Sequence, residues 1–154
     1  MRILLINGPN LNLLGSRDPD IYGTVTLDEI AARVSERALA LGAEVLALQS
    51  NHEGAIIDFV QAESPGADGI IINPGALTHY GLSLRDALAA CRLPIVEVHI
   101  SNIYTRETFR RRSVTAEVAT GLIAGLGWRG YLLALEAVVE LEKGPTFRSA
   151  LGRS

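Results

Sequence analysis

Short runs of apolar residues alternate along this chain with longer segments in which apolar residues recur every three or four positions. Four of the runs end in polar or turn-forming residues, and they cover residues 3–6, 44–48, 69–72 and 95–98. Apolar runs of this length, bounded by turn residues, predict buried parallel strands. A fifth strand is predicted over residues 120–126.

The segments between the apolar runs have the periodicity of amphipathic helices. Thr26 and Glu29 have the spacing of a capping box, in which each residue bonds the backbone of the other at a helix start. Ser50 and Glu53 repeat that spacing and predict a second capping box. Helices are predicted over residues 27–41, from residue 53, and over 82–91 and 128–141.

The alternation of strand and helix predicts an α/β fold of one domain. By analogy with chains of this size, we expect a flavodoxin-like three-layer sandwich with a five-stranded parallel sheet of order 2-1-3-4-5. The domain is predicted to cover residues 1–142, with a loose tail over residues 143–154. Ligands of such sheets bind beyond the carboxyl ends of the strands, so chemistry is expected after Ile6, Ile72 and Val98.

Composition narrows the class of protein. The chain has 154 residues, 48% hydrophobic and 20% charged, with a net charge of −3, and its arginines are scattered apart from one short run. These values predict a globular protein that does not bind nucleic acid. No apolar run approaches the roughly 18 residues of a membrane span, which favours a cytoplasmic protein. Cys91, the single cysteine, has apolar neighbours and is interpreted as a packed thiol.

Lysine is almost absent, since 13 of the 14 basic residues are arginines and the other is Lys143. Schiff-base enzymes, pyridoxal-phosphate enzymes and P-loop nucleotidases need a lysine at a strand or helix start, which Lys143 does not provide. The three histidines show no metal-ligand spacing, and the first loop has no GxGxxG pattern. We therefore expect no metal and no dinucleotide cofactor.

The connection after the first strand is much longer than the roughly two to six residues that are usual in such folds. Asn7 and Asn10 are interpreted as turn residues, whereas Asn12 precedes apolar residues and is predicted to point inward. Tyr22 and Arg17 have two interpretations. They are either surface residues, or a phenol beside a guanidinium that favours the phenolate and so forms a base.

Polar side chains also follow the third and fourth predicted strands. Asn73 and His79 follow the third strand. Asn73 is either an amide that contacts a ligand or an ordinary turn residue, and His79 would be a neutral hydrogen-bond donor. Glu97 and His99 share one face of the fourth strand. They are either a satisfied core pair or a general acid whose imidazole is oriented by the carboxylate. Ser101 follows, where backbone N–H groups can hold an anion.

Two other classes of protein share the predicted fold. A flavin- or nucleotide-binding module needs a phosphate loop rich in serine and threonine after the first strand, which is missing. A signalling receiver domain needs clustered acids after the first strand and a lysine after the fifth, and both are missing. Of the basic run at residues 110–112, at most one arginine is expected to face the site.

Four long motifs are spaced along the chain: Asn7-Gly8-Pro9-Asn10-Leu11-Asn12-Leu13-Leu14-Gly15 with Arg17, Pro19 and Tyr22-Gly23; Asn73-Pro74-Gly75-Ala76 with Thr78-His79; Leu84-Arg85-Asp86-Ala87; and Glu97-Val98-His99-Ile100-Ser101-Asn102 with Arg106-Glu107 and Phe109-Arg110. They resemble the motifs of the type II 3-dehydroquinate dehydratases, and the likeness extends to about Glu140. The chain departs from many relatives at Tyr80-Gly81, where a serine or threonine is common.

The resemblance implies an enzyme that removes water from 3-dehydroquinate to give 3-dehydroshikimate, in the shikimate route to aromatic amino acids. It implies no cofactor and no metal. Tyr22, as a phenolate favoured by Arg17, would remove the C2 proton. The resulting enolate would be stabilised through a water held by Asn12, and His99, supported by Glu97, would protonate the departing C1 hydroxyl.

The resemblance also implies how the substrate is held. The substrate carboxylate would lie on the backbone N–H groups of Ile100 and Ser101 together with Asn73. His79 and Arg110 would hold the ring hydroxyls.

The resemblance further implies a homo-oligomer, a dodecamer built from four trimers. In the family, an aspartate that matches Asp86 reaches the site of a neighbouring subunit in the trimer. The unrelated type I dehydratases hold the ketone as a lysine imine, and Lys143 matches no such position. The intermediate is therefore expected to be a hydrogen-bonded enolate.

Overall fold

A parallel five-stranded sheet runs through the centre of the computed structural model, which describes residues 1–16 and 18–144. The strand order is 2-1-3-4-5, and every neighbouring pair is parallel, which confirms the predicted sheet. The strands are Arg2–Asn7 (β1), Glu44–Gln49 (β2), Gly69–Asn73 (β3), Ile95–His99 (β4) and Gly121–Ala124 (β5). The fifth strand is shorter than the predicted one.

Helices cover both faces of the sheet and complete the predicted three-layer, flavodoxin-like arrangement. They are Pro19–Tyr22 (α1), Leu27–Ala40 (α2), Glu53–Glu63 (α3), Leu82–Cys91 (α4) and Arg129–Lys143 (α5). The buried residues of α2 and α5 form one core with one face of the sheet, and those of α3 and α4 form a second core with the other face. Right-handed crossovers between parallel strands require helices on both faces when the strand order reverses, as it does here at β1.

Side-chain alternation along the strands divides the apolar residues between the two cores. On β1, Ile3 and Leu5 pack on the α2–α5 side and Leu4 and Ile6 on the α3–α4 side, all of them fully buried. On β4 the same alternation leaves two polar residues on the α3–α4 side at the carboxyl end of the strand. The fold therefore buries polar groups next to the expected ligand-binding edge.

The first predicted capping box is confirmed and the second is wrong. Thr26 Oγ1 accepts a hydrogen bond from the Glu29 backbone N–H at 3.2 Å, and Glu29 Oε2 accepts one from the Thr26 N–H at 2.8 Å. At the start of α3, Glu53 Oε1 instead accepts from the backbone N–H of Leu84 at 3.1 Å. Glu53 therefore satisfies the first turn of the neighbouring helix α4 rather than its own, and the Ser50 hydroxyl accepts from the His52 N–H at 3.0 Å.

The turns that follow β1 and β3 pack against each other. The Gly8 N–H donates to the Asn73 carbonyl at 2.8 Å, and a Cβ at Gly8 would lie 2.2 Å from the carbonyl oxygen of Pro74. No side chain fits at that distance, which explains why glycine stands there. The two turns thus form one continuous floor at the carboxyl edge of the sheet.

The last helix extends beyond the predicted end of the domain, because Lys143 is still part of α5. The predicted tail from residue 145 onward lies outside the described residues, so the domain boundary stays a prediction. Among the helices of the described chain, none is both long enough and apolar enough to cross a membrane.

Candidate active site

A cavity of about 230 Å³ lies at the carboxyl edge of the sheet, where the sequence predicts chemistry. It is smaller than the roughly 300–1,000 Å³ of pockets for drug-sized molecules, which favours a compact ligand. Residues of the first loop, the turn after β3 and the segment after β4 line it: Pro9, Asn10, Leu11, Leu14, Tyr22, Asn73, Gly75, Ala76, His79, His99, Ile100, Ser101, Ile103, Arg106 and Arg110.

His99 and Glu97 form a buried pair at the end of β4. His99 Nε2 lies 2.6 Å from Glu97 Oε1, and the two residues are 5% and 0% exposed. Burial alone raises the pKa of the Glu97 carboxyl, but hydrogen bonds from His99, Thr115 and Thr78 and the charge of His99 outweigh it, so the pKa lies below the ordinary glutamate value. Glu97 is therefore ionised at neutral pH and accepts a hydrogen bond from His99 Nε2–H. Nδ1 is the ring nitrogen of His99 that does not contact Glu97.

Three hydroxyl groups complete the surroundings of Glu97. No role was predicted for any of them from the sequence, although one of them, Thr78, lies in a matching motif. They belong to Thr78, Ser113 and Thr115, all of which are buried. A usable signal existed, because a carboxylate predicted on a buried strand needs donors, and Ser113 and Thr115 alternate with an apolar residue as in an extended segment.

Tyr22 lines the cavity from α1, the four-residue helix within the long first loop. Its hydroxyl accepts a hydrogen bond from Arg106 Nη1 at 2.9 Å, and the Arg106 guanidinium carbon lies 5.6 Å from the Tyr22 ring centroid. Arg106 Nη1 also lies 3.4 Å from Ser101 Oγ. Arg106 lies in a matching motif, but no role was predicted for it. Arg17, the predicted partner of Tyr22, lies outside the described residues.

The asparagines of the first loop differ from the prediction. Asn12 is exposed on a short 3₁₀ turn and is not among the residues that line the cavity, so its predicted inward orientation is wrong in this structure. Asn10 lines the cavity instead, with a left-handed backbone (φ 68°) that asparagine tolerates better than most residues. Its N–H donates to Asn51 Oδ1 at 3.0 Å, which attaches the loop to the end of β2.

Asn73 is held by Tyr131, a buried residue of α5 for which no role in the site was predicted. Asn73 Nδ2 donates to the Tyr131 hydroxyl at 2.8 Å, and that hydroxyl donates to Asn7 Oδ1 at 2.7 Å. Asn7 therefore bonds a distant side chain rather than its own turn. Because Asn73 Oδ1 accepts from the Gly75 N–H at 3.1 Å, the amide of Asn73 has one fixed orientation at the cavity floor.

His79 and Arg110 both line the cavity, as expected. His79 Nδ1 lies 2.7 Å from the Arg112 carbonyl oxygen, and since a carbonyl only accepts, Nδ1 carries a proton. Arg110 is anchored through Nε to Glu107 Oε2 at 2.8 Å. Its neighbours Arg111 and Arg112 are exposed, so one arginine of the run faces the cavity.

Ile100 and Ser101 line the cavity at the turn directly after β4. Asp86 does not line it: the residue is exposed on α4, and its Oδ1 lies 3.2 Å from Arg85 Nη1.

The cavity combines two arginines with an acid–base pair. Arg106 and Arg110 supply positive charge, and His99 with Glu97 supplies an imidazole of fixed orientation. In the described part of the chain, no three histidine, cysteine, aspartate or glutamate side chains come together as a metal site. This arrangement suits a compact anionic ligand and proton transfer to or from it.

The chain is similar over most of its length to proteins of one known family. The family model for class II dehydroquinase matches residues 1–139. A curated 3-dehydroquinate dehydratase of Roseiflexus castenholzii is 66% identical over 154 residues, which is 99% of this chain and 98% of that protein. One of Halothermothrix orenii is 60% identical over 142 residues, covering 92% of this chain and 96% of that protein.

A solved structure of a protein from the same family superposes on most of this chain. The type II dehydroquinase from Butyrivibrio crossotus superposes with a TM-score of 0.88 at 48% identity, covering 90% of this chain and 97% of that one. The chain described above, with its sheet order and its cavity, is thus similar to a dehydroquinase in both sequence and fold.

Proposed function

Since this chain belongs to the class II dehydroquinase family and is a 3-dehydroquinate dehydratase, a hydro-lyase, we propose that it eliminates water through an enolate without any cofactor. The observation that carries this proposal is that Tyr22, hydrogen-bonded to a guanidinium, and His99, hydrogen-bonded to a carboxylate, line one small cavity. One is suited to remove a proton and the other to deliver one.

The first step in the proposal is proton removal at C2 of the substrate. Tyr22 as a phenolate takes the C2 proton, and the C–H electron pair moves into the C3 carbonyl to form an enolate. The 2.9 Å hydrogen bond from Arg106 supports this role, because a guanidinium at the phenol oxygen stabilises its anionic form. Arg17 keeps the role that the resemblance implies, and Arg106 is added to it in this proposal.

The enolate oxygen needs hydrogen-bond donors that are oriented before charge develops. The resemblance assigns this to a water held by Asn12, and we retain that assignment as part of the proposal. Because Asn12 is exposed here, binding of the substrate would have to turn its side chain toward the cavity.

The second step is loss of the C1 hydroxyl. The enolate re-forms the ketone, a C1–C2 double bond forms, the C1–O bond breaks, and Nδ1–H of protonated His99 supplies the proton that makes the leaving group water. His99 ends neutral and Tyr22 ends protonated, so one proton passes from the phenol to the imidazole before the next turnover. The ionised Glu97 supports this step because it stabilises the imidazolium form.

Substrate binding in the proposal uses the positive charge of the site. The carboxylate lies on the N–H groups of Ile100 and Ser101 and on the amide of Asn73, whose orientation is supported by Tyr131. Arg110 and His79 hold ring hydroxyls. His79, whose Nδ1 proton points to the Arg112 carbonyl, accepts a hydrogen bond from a ring hydroxyl at Nε2.

We also propose that the chain forms a dodecamer of trimers and serves the shikimate route. Two large hydrophobic side chains that precede Asp86 in the sequence support a subunit contact, since Tyr80 and Leu82 are 63% and 61% exposed. In that arrangement Asp86 completes the site of a neighbouring subunit.

The direct test is an absorbance assay. Purified protein mixed with 3-dehydroquinate is expected to produce the absorbance of a conjugated enone, at the same rate with and without a chelator. Borohydride added together with the substrate is expected to leave the enzyme active, because no lysine imine forms. The absence of any absorbance rise at high enzyme concentration contradicts the activity, and inactivation by borohydride contradicts the enolate route.

Replacing Arg106 by alanine tests the partner of Tyr22. Loss of a hydrogen bond to a charged group costs about 1.5–3 kcal/mol, so we expect kcat to fall by about ten- to a hundredfold. Arg111→Ala is the control, since Arg111 is exposed and does not line the cavity. Equal kcat values for Arg106→Ala and wild type would leave Arg17 as the functional partner.

A further inference from the structure

The carboxylate of Glu97 is enclosed by hydroxyl groups that the proposed reaction does not use. Thr78 and Ser113 lie 2.5 and 2.8 Å from Oε1, and Thr115 lies 2.6 Å from Oε2. We call these three residues the hydroxyl cage. None of them is among the residues that line the cavity, so they act on the carboxylate and not on the substrate.

The hydrogen-bond directions around Glu97 are consistent with a full negative charge. Each hydroxyl lies within hydrogen-bond distance of a Glu97 oxygen, and the three hydroxyl oxygens also lie 2.7–3.2 Å from one another. His99 Nε2–H donates a further hydrogen bond to Glu97 at 2.6 Å. Ser113 Oγ also accepts from the Ala116 N–H at 2.9 Å, which leaves its own proton free to point toward Glu97. A carboxylate that accepts several hydrogen bonds is strongly favoured over the carboxylic acid, even when it is fully buried.

The location of one proton decides whether His99 is an effective acid. When both ring nitrogens are protonated, the imidazolium gives up its Nδ1 proton readily. If the Nε2 proton moves to Glu97, the ring is a neutral imidazole whose remaining Nδ1–H is a very weak acid. In a buried pair, such a transfer removes both charges, and burial alone favours it.

We propose that the hydroxyl cage of Thr78, Ser113 and Thr115 keeps this proton on His99 by stabilising the ionised form of Glu97. The three are positioning residues for the acid, and the inference rests on the proposed role of His99 in the reaction. The cage comes from two separate segments, the turn after β3 and the stretch before β5, which join where the Val114 N–H donates to the Thr78 carbonyl at 2.7 Å.

Other charged and titratable side chains face the pair across the cavity. Tyr22 on α1, His79 after β3, and Arg106 and Arg110 after β4 line the cavity with His99. They act on the exposed side of the imidazole, whereas the hydroxyl cage acts on the carboxylate behind it. Changing the cage therefore alters the carboxylate without changing the cavity.

Thr115→Val is the informative variant. Among the described residues, Thr115 alone donates a side-chain hydrogen bond to Glu97 Oε2, whereas Oε1 has three donors. Valine has a similar shape and replaces the hydroxyl by a methyl group, which also removes the contacts of that hydroxyl with Thr78 and Ser113. We expect kcat to fall by about tenfold or more, with KM changed by less than about threefold, since a hydrogen bond to a charge is lost away from the substrate. Thr115→Ser restores the hydroxyl and is expected to recover most of the lost kcat.

Nitrogen-15 spectra of the histidine side chains report the proton directly. In wild type titrated from alkaline to acidic pH, both ring nitrogens of His99 are expected to become protonated. In Thr115→Val the added proton is expected on Glu97, so the ring keeps the neutral pattern to lower pH. Thr120→Val is the matched control, because Thr120 Oγ1 accepts from the Ile95 N–H at 3.1 Å and does not touch Glu97.

The outcomes separate this inference from the proposed function. Wild-type kcat in Thr115→Val, failure of serine to restore activity, or a doubly protonated His99 ring in Thr115→Val overturns the cage. If His99→Ala itself retains full activity, the proposed acid is wrong. If Thr115→Val does not fold, Ser113→Ala, which also removes one donor from Glu97, is measured in the same way and decides the question.

Discussion

Tyr22→Phe is expected to lower kcat by about 10²–10⁴-fold, the usual contribution of a general base, while KM changes little. Phenylalanine keeps the ring that packs near the Arg106 guanidinium but has no oxygen to take the C2 proton. The C2–H bond then stays intact. Steady-state kinetics, together with deuterium exchange at C2 of recovered substrate, measure the two effects separately.

Tyr104→Phe is the matched control for the loss of a phenol. Tyr104 is 49% exposed on the segment after β4 and does not line the cavity, so its variant is expected to behave as wild type. A kcat close to the wild-type value in Tyr22→Phe would require a different base. Exchange at C2 without turnover in Tyr22→Phe would likewise contradict the assignment.

His99→Ala is expected to lower kcat by a similar factor of about 10²–10⁴, for a different reason. Tyr22 and Arg106 are unchanged in this variant, so proton removal at C2 continues, but the C1 hydroxyl has no acid to protonate it. Substrate recovered from heavy water is therefore expected to carry deuterium at C2 although little product forms. Added imidazole is expected to restore part of the activity.

His52→Ala is the control for this variant. His52 is exposed, directly precedes helix α3 and does not line the cavity. If His99→Ala stops exchange at C2 as completely as Tyr22→Phe does, then His99 acts before or during proton removal. The order of the two proposed steps would then be wrong.

The sheet was predictable because its signal is local. Residues 3–6, 69–72 and 95–98 are short, mainly apolar runs whose bounds differ from those of the observed strands by at most one residue at each end. A central parallel strand is buried on both faces, so its sequence is mainly apolar and distinct from that of the amphipathic helices, with Glu97 and His99 as the polar exceptions on β4. The order 2-1-3-4-5 came from analogy and not from the residues, and the structure confirms it.

Predictions that depended on side-chain direction were less successful. Ser50 and Glu53 have the same spacing as Thr26 and Glu29, yet Glu53 bonds the backbone of α4. The spacing cannot show that α4 begins within reach of Glu53, because that depends on how two helices pack on the sheet. Tertiary contacts decided the outcome.

The candidate site was predictable where its residues follow strand ends. Glu97 and His99 lie two apart on a buried strand, and the period of two puts both side chains on one face. The resemblance to a known family supplied the remaining roles. Position along the chain did not reveal Arg106, Tyr131 or the hydroxyl cage, because they reach the site through crossovers and long turns whose paths the sequence does not specify.

The two proposed reacting groups belong to parts of the molecule with different resistance to local opening. Tyr22 lies on a four-residue helix that has no buried residue, whereas His99 ends a strand whose five residues are all buried. Segments with few buried contacts open at a much lower free energy than global unfolding requires. Tyr22 itself is only partly buried against the core. We therefore expect the segment that holds Tyr22 to open at a lower temperature than the sheet that holds His99, and turnover to decline below the melting temperature.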